Sequence, residues 1–273
     1  MKTFRFRLFW AIIASLFLAI LFVVGMLSYK IVLHNTAFIS GWILLVMVLV
    51  LTLFNVRKKL TYPPLFKSAT WMQFHIYIGA LSVLVFLLHT EWRLPNGVFE
   101  SIFYCLFVFV AGSGVIGIYL TRTIPRQLAG RGGEVIFERI PMFLKELREQ
   151  AEGLVIDSLQ FNDSTIIADF YNTKLAAYMS APRPVSLRVF RHDRLREEYQ
   201  AELKALHRYL SDEEQEVAEK ISDVLALKDV LDFHHGRQGL LKAWLFVHIP
   251  LTYAVLLFMV VHLVLVHAFY GGM

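Results

Sequence analysis

The chain has 273 residues, is 57% hydrophobic, contains 23 phenylalanines and one cysteine, and carries a formal charge of +5. Its long charge-poor runs place it among membrane proteins. The basic excess lies in segments flanking or joining those runs, so it reads as a topological bias and not as a nucleic-acid surface. The lone Cys105 excludes a disulfide framework, a zinc ribbon and a C-x-x-C-H site for covalent haem attachment.

Met1 to Arg7 is basic, and Phe9 to Tyr29 is an apolar run too long for a signal peptide and without a small-residue cleavage site, so it reads as a retained first span. A second run, Phe38 to Phe54, ends in Arg57, Lys58 and Lys59, which belong on the cytoplasmic side. The third extends from Trp71 to His89 and is followed by a turn containing Trp92, Arg93, Pro95, Asn96 and Gly97. The fourth, Val98 to Leu120, carries Gly112, Gly114 and Gly117, small residues that admit close neighbours. Leu240 to His267 is the fifth. Counting from a cytoplasmic N-terminus puts the third and fifth spans parallel, both running from inside to outside, with the C-terminus outside.

Between the fourth and fifth spans lies a polar segment rich in arginine and lysine. Ile140 to Glu152 reads as a short amphipathic helix. Leu154 to Phe161 and Thr165 to Tyr171, on either side of Asn162-Asp163-Ser164, read as a hairpin, and Val185 to Phe190 as a third strand. Ser211-Asp212-Glu213-Glu214 matches a capping box that opens a later helix. The expectation is an all-α membrane bundle of five transmembrane helices with a small α+β cytoplasmic insert: spans one to four in 1–121, the insert in 122–239 and the last span in 240–273.

Two of the apolar runs share a histidine spacing of 14, from His75 to His89 and from His248 to His262. On a helix, 14 residues turn through about 1400°, roughly 40° short of four turns, and rise about 21 Å. Each pair therefore lies on one helix face, near opposite sides of a hydrocarbon core about 30 Å thick. Parallel spans put His75 level with His248 and His89 level with His262. Two such levels suit two b-type haems, each taking one axial imidazole from either helix. Gly79, one turn after His75, leaves room for a flat macrocycle, and Pro250 is placed to bend the helix near His248.

Propionate groups need cations or donors at the membrane faces. Arg122, Arg126, Arg237 and Lys242 are the candidates inside, and Arg93 is the main one outside. Ordinary flanking and snorkelling is the competing account for each of them. His267 lies 19 residues from His248, about 100° around the helix, and points away from the haem column, as a fallback ligand. His34 falls in an outer turn, His192 and His207 read as solvated, and His234-His235 as a surface junction that a metal or proton role would compete for.

A histidine pair spaced by 14 on each of two membrane helices resembles the di-haem cytochrome b superfamily, both respiratory cytochrome b and the membrane domain of ferric reductases and NADPH oxidases. The resemblance rests on His75, His89, His248 and His262, with Gly79 as a possible porphyrin contact, and does not reach the insert. Gly130-Arg131-Gly132-Gly133 is not a dinucleotide fingerprint, and no quinol-oxidation motif is recognised. The resemblance implies two haem b groups and an electron-transfer subunit of an oxidoreductase in a bacterial-type inner membrane. Its partners would be quinone and a redox protein, a periplasmic cytochrome c or a cytoplasmic flavoprotein, with no nucleic acid. The alternatives are a ferric or other metal reductase subunit, a non-haem membrane sensor or scaffold, and a transporter with histidines along a proton path.

Overall fold

The computed structural model of the chain describes residues 36–59, 68–131, 135–161, 164–180 and 194–269, with a few helical positions between 13 and 28. The described elements are all helical: α1 Thr36–Lys59, α2 Ser68–His89, α3 Val98–Ala129, α4 Ile140–Phe161, α5 Ile166–Phe170, α6 Ala176–Ser180, α7 Arg194–Leu206 and α8 Asp212–Phe269. Single 3-10 turns, Phe137–Arg139 and His207–Tyr209, precede α4 and follow α7, and a π turn, Tyr171–Leu175, joins α5 to α6.

Four of these helices, α1, α2, α3 and α8, are long and apolar enough to cross a membrane. Their apolar residues do not form a single stripe. Large side chains such as Phe74, Phe109, Val115, Phe246, Leu257 and Val264 stand on the outer surface, with Phe246 81% exposed. A helix that is hydrophobic all round needs an apolar surrounding, and a surface of this kind fits hydrocarbon and not water. The chain is thus an α-helical bundle of membrane-protein character. The run Phe9 to Tyr29 lies mostly outside the described residues, as do Val185 to Phe190, His34 and His192.

The molecule divides into two compact units, residues 1–118 with 245–273 and residues 119–244, the divisions falling inside α3 and α8. In the first unit the buried core consists of Leu44 and Val48 from α1, Val85 and Phe86 from α2, Phe107 from α3, and Val255 and Met259 from α8. Phe86 and Phe107 stack with ring centroids 4.1 Å apart. In the second unit Ile140, Leu147, Ala151 and Val155 of α4 pack with residues of α5, α6, α7 and the first half of α8, including Ile167, Leu203, Val217, Ile221 and Leu225.

The expected hairpin is not a hairpin. Leu154 to Phe161 is the last part of α4, and Thr165 to Tyr171 falls on α5 and its flanks. The reason is visible in the buried positions Leu147, Ala151, Val155 and Ser158: steps of three and four residues mark one face of a helix. A short window rich in Val, Ile and Leu hides that period, and Asn162-Asp163 connects two helices as readily as two strands. The insert among the described residues is therefore all-α, and the amphipathic helix from Ile140 is longer than Glu152. At its other end, α8 runs from Asp212 into the apolar run at Leu240 as one helix, with Gly236, Gly239 and Pro250 inside it.

The capping box at the start of α8 is formed. The Ser211 backbone N–H donates to Glu214 Oε2 at 2.9 Å, and the Glu214 N–H donates to Ser211 Oγ at 3.3 Å. Deeper in the second unit, Lys228 Nζ donates to Asp232 Oδ2 at 2.7 Å, one turn away on α8. Both residues are almost fully buried, and the ammonium also lies 4.1 Å from the centre of the Tyr178 ring. On the surface of this unit the Lys242 ammonium beside Glu138 holds that carboxyl below the usual carboxylate range.

In the first unit α2 ends at His89 in a tight turn, in which Glu91 and Trp92 adopt φ of 50° and 61°. The Trp92 N–H returns to the Leu87 carbonyl and the Arg93 N–H to that of Thr90. Two successive non-glycine residues in the left-handed region carry strain of about 1–2 kcal/mol each. The turn is thereby held by these hydrogen bonds and not by local preference.

Two measurements test this packing. Asp232→Ala leaves a buried ammonium without the carboxylate and is expected to destabilise the second unit by about 3–5 kcal/mol, whereas Lys228→Met with Asp232→Leu costs less; denaturant-dependent proteolysis of the full chain ranks the two. Glu91→Ile places a β-branched residue at positive φ and lowers the melting temperature, and Glu91→Asn does not.

Candidate functional site

The first unit brings the four spaced histidines together in two pairs. His75 of α2 faces His248 of α8 with ring centroids 6.5 Å apart and planes crossed at 72°. His89 of α2 faces His262 of α8 with centroids 6.3 Å apart and planes at 88°. The register is the parallel one, since each histidine meets the residue at its own level. Separations of this size occur in ordinary aromatic packing. Here, however, the same separation repeats at two levels of one helix pair, and the surrounding side chains treat both pairs alike.

One imidazole in each pair is held through Nδ1. At the first level, Ser113 Oγ on α3 lies 2.6 Å from His248 Nδ1 and donates its own hydrogen to the Val110 carbonyl at 2.8 Å. At the second, His89 Nδ1 lies 3.1 Å from Ser40 Oγ and 3.0 Å from the Ala37 carbonyl, both on α1. Ser40 donates in turn to that carbonyl at 3.0 Å. The other imidazole in each pair packs on a phenylalanine: His75 on Phe54 with centroids 5.1 Å apart, and His262 on Phe103 at 5.7 Å.

A glycine follows each of these serines. A methyl group on Gly41 would stand 3.1 Å from His89 Cε1, and one on Gly114 would stand 4.0 Å from His248 Cε1. The absence of a side chain at Gly41 is thus what lets the ring lie against α1. Gly79 differs, for a Cβ there meets no atom within 4 Å among the described residues. Near Pro250, the Thr252 hydroxyl donates to the His248 carbonyl at 2.8 Å, satisfying part of the local backbone from a side chain.

The His89 level opens into a cavity of about 480 Å³. His89, His262, Phe103 and Met259 line it, with Thr90, Arg93, Asn96 and Glu100 at the polar side. This volume lies within the range of about 300–1,000 Å³ that small-molecule and cofactor sites occupy. His267 also lines it, with its ring 5.9 Å from Trp42 and 6.0 Å from Phe38 and its Nδ1 donating to the Leu263 carbonyl. It therefore faces the same cavity as His262 and not away from it. Arg93 is exposed and pairs with Glu91 at 3.5 Å.

The four inner cations belong to the second unit. Arg122 and Arg126 are exposed on α3. Arg237 lies 5.4 Å from the Phe233 ring centre. Lys242 pairs with Glu138 and stands 3.9 Å over the Phe137 ring. Among the described residues no group of three or more His, Cys, Asp and Glu side chains converges as a compact metal site. His234 is buried in the second unit, with Nε2 3.4 Å from the Arg131 carbonyl, and is not on a surface.

Sequence reasoning missed Ser40 and Ser113. The available signal was the Ser-Gly dipeptide, Ser40-Gly41 and Ser113-Gly114, inside two otherwise apolar runs. Comparison of the chain with protein-family models, curated proteins and solved structures returns no match.

Proposed function

We propose that the chain is an integral membrane cytochrome of the di-haem b type that moves electrons across a bacterial-type inner membrane. The observation that carries this reading is the pair of histidine pairs at ring separations of 6.5 and 6.3 Å. A metal–imidazole bond is about 2.0–2.1 Å, and the donor nitrogen stands about 1.2 Å from the ring centre. Two imidazoles on opposite sides of one ion then have centroids about 6.4 Å apart. Both pairs stand near this separation, so the two histidines of each pair would hold one ion between them. When bound, haem supplies a one-electron centre whose potential depends on its axial ligands, burial and neighbouring hydrogen bonds.

The chain's own residues then have separable tasks. His75 and His248 hold the inner group, and His89 and His262 the outer one, with about 21 Å of helix rise between the levels. The open space at Gly79 and the cavity at His89 and His262 accommodate flat ligands. Arg93, with Thr90 and Asn96, supplies a cation and donors for propionates at the outer level. Apolar core residues between the levels, Val85, Phe86, Val255 and Met259, exclude water.

On this reading the full topology has five spans, with Phe9 to Tyr29 as the first, the N-terminus cytoplasmic and the C-terminus outside. Electrons would pass between the quinone pool or a cytoplasmic flavoprotein and a periplasmic redox partner such as a cytochrome c. The histidine spacing, which resembles that of the di-haem cytochrome b superfamily, supports this reading.

The purified full chain is expected to give a reduced-minus-oxidised b-type spectrum with about two haems per chain. His75→Ala and His248→Ala remove the same haem, and His89→Ala and His262→Ala remove the other. A colourless preparation from haem-replete cells overturns the reading, and loss of different haems by two members of one pair overturns the pairing. Gly41→Val displaces the His89 ring and lowers occupancy of the outer haem alone, as read from the same spectra.

A further inference from the structure

Each histidine pair contains one ring held at Nδ1 from a neighbouring helix. The Ala37 carbonyl can only accept, so at 3.0 Å from His89 Nδ1 it requires a hydrogen on that nitrogen. Ser113 has one hydroxyl hydrogen and directs it to the Val110 carbonyl, so its oxygen accepts from His248 Nδ1. The carbonyl contact puts the hydrogen of His89 on Nδ1 and its lone pair on Nε2, and a Ser113 hydroxyl committed to Val110 assigns His248 the same tautomer. His75 and His262 instead pack against Phe54 and Phe103. The held rings alternate between helices, one on α2 and one on α8, and they are held by different helices, α1 and α3.

We infer that Ser113 and Ser40 are positioning residues that fix His248 and His89 as Nε2 donors and set the potentials of the two proposed haems independently. The inference rests on the haem reading for its redox consequence, but its tautomer content stands without it. A ligating imidazole that donates from Nδ1 to an acceptor is oriented and made more basic. A more basic ligand favours the oxidised metal, so loss of the acceptor raises the potential of the haem concerned. Gly41, next to Ser40, allows the His89 imidazole to approach the backbone of α1.

The experiment uses the full chain in lipid nanodiscs, as wild type and as Ser113→Ala, Ser113→Thr and Ser40→Ala. Redox titration of the haem-loaded protein is expected to show an upward shift of the inner haem alone in Ser113→Ala. Ser40→Ala removes one of the two acceptors at His89 Nδ1 and leaves the Ala37 carbonyl, so it moves the outer haem alone and by less than Ser113→Ala moves the inner one, and Ser113→Thr, which keeps the hydroxyl, returns the inner potential toward wild type. Loss of the inner haem alone in Ser113→Ala, restored in Ser113→Thr, also supports the assignment. Unchanged potentials in both alanine variants, equal displacement of both haems by either one, or failure of the threonine variant to differ from alanine overturns it.

Nitrogen-15 NMR of histidine-labelled, haem-free chain separates this from the haem reading. His89 and His248 are expected as Nδ1–H tautomers, with the His248 signal displaced in Ser113→Ala. Nε2–H tautomers at these positions sink the inference even if two haems are bound. Nδ1–H tautomers in a protein that binds no haem sink the redox part alone.

Discussion

Imidazole nitrogens among apolar helices need polar partners from neighbouring chain segments, and the first unit is arranged around that constraint. Two rings are satisfied at Nδ1 by groups on neighbouring helices, and two lie against phenylalanines. Each such contact fixes a helix as well as a side chain. Ser40 and Ala37 tie α1 to α2, and Ser113 ties α3 to α8. In hydrocarbon the apolar effect does not distinguish one helix face from another, so close packing and a few polar contacts select the register. The same contacts that orient the rings therefore also align the helices that carry them.

The second unit is packed differently. Its helices have one apolar face and one charged face, and its core is assembled from Ile140, Leu147, Ala151, Val155, Ile167 and the inward residues of α8. Within that core the Lys228–Asp232 pair is a costly feature, because both charges have left water. The Tyr178 ring over the ammonium offsets part of that cost through its π face. A buried ion pair of this kind favours one arrangement of α8 in the core more than it adds stability.

The histidine spacing was legible because helical geometry turns a count of 14 into a direction and a height. Pairing by level followed from counting spans, and the side chains meet in that register. The hairpin reading failed where short windows rich in branched residues were judged without the longer helical period around them. The orientation of His267 failed because an ideal 100° per residue says nothing about which neighbouring helices line the cavity; Phe38 and Trp42 of α1 put its surroundings on the side of His262. Ser40 and Ser113 were hidden for another reason. Their partners lie 49 and 135 residues away, and a serine in an apolar helix reads as a residue bonded to its own backbone, which both also are.

The division of labour between α1 and α3 has a consequence for how such a protein can change over time. Neither serine carries a ligand, and each touches only one level of the histidine column. A change at Ser40 is felt at the outer pair and a change at Ser113 at the inner pair, while the four imidazoles stay where they are. Selection can then adjust one end of the column to a new neighbour without reopening the other, which is a form of modularity written into two hydroxyl groups.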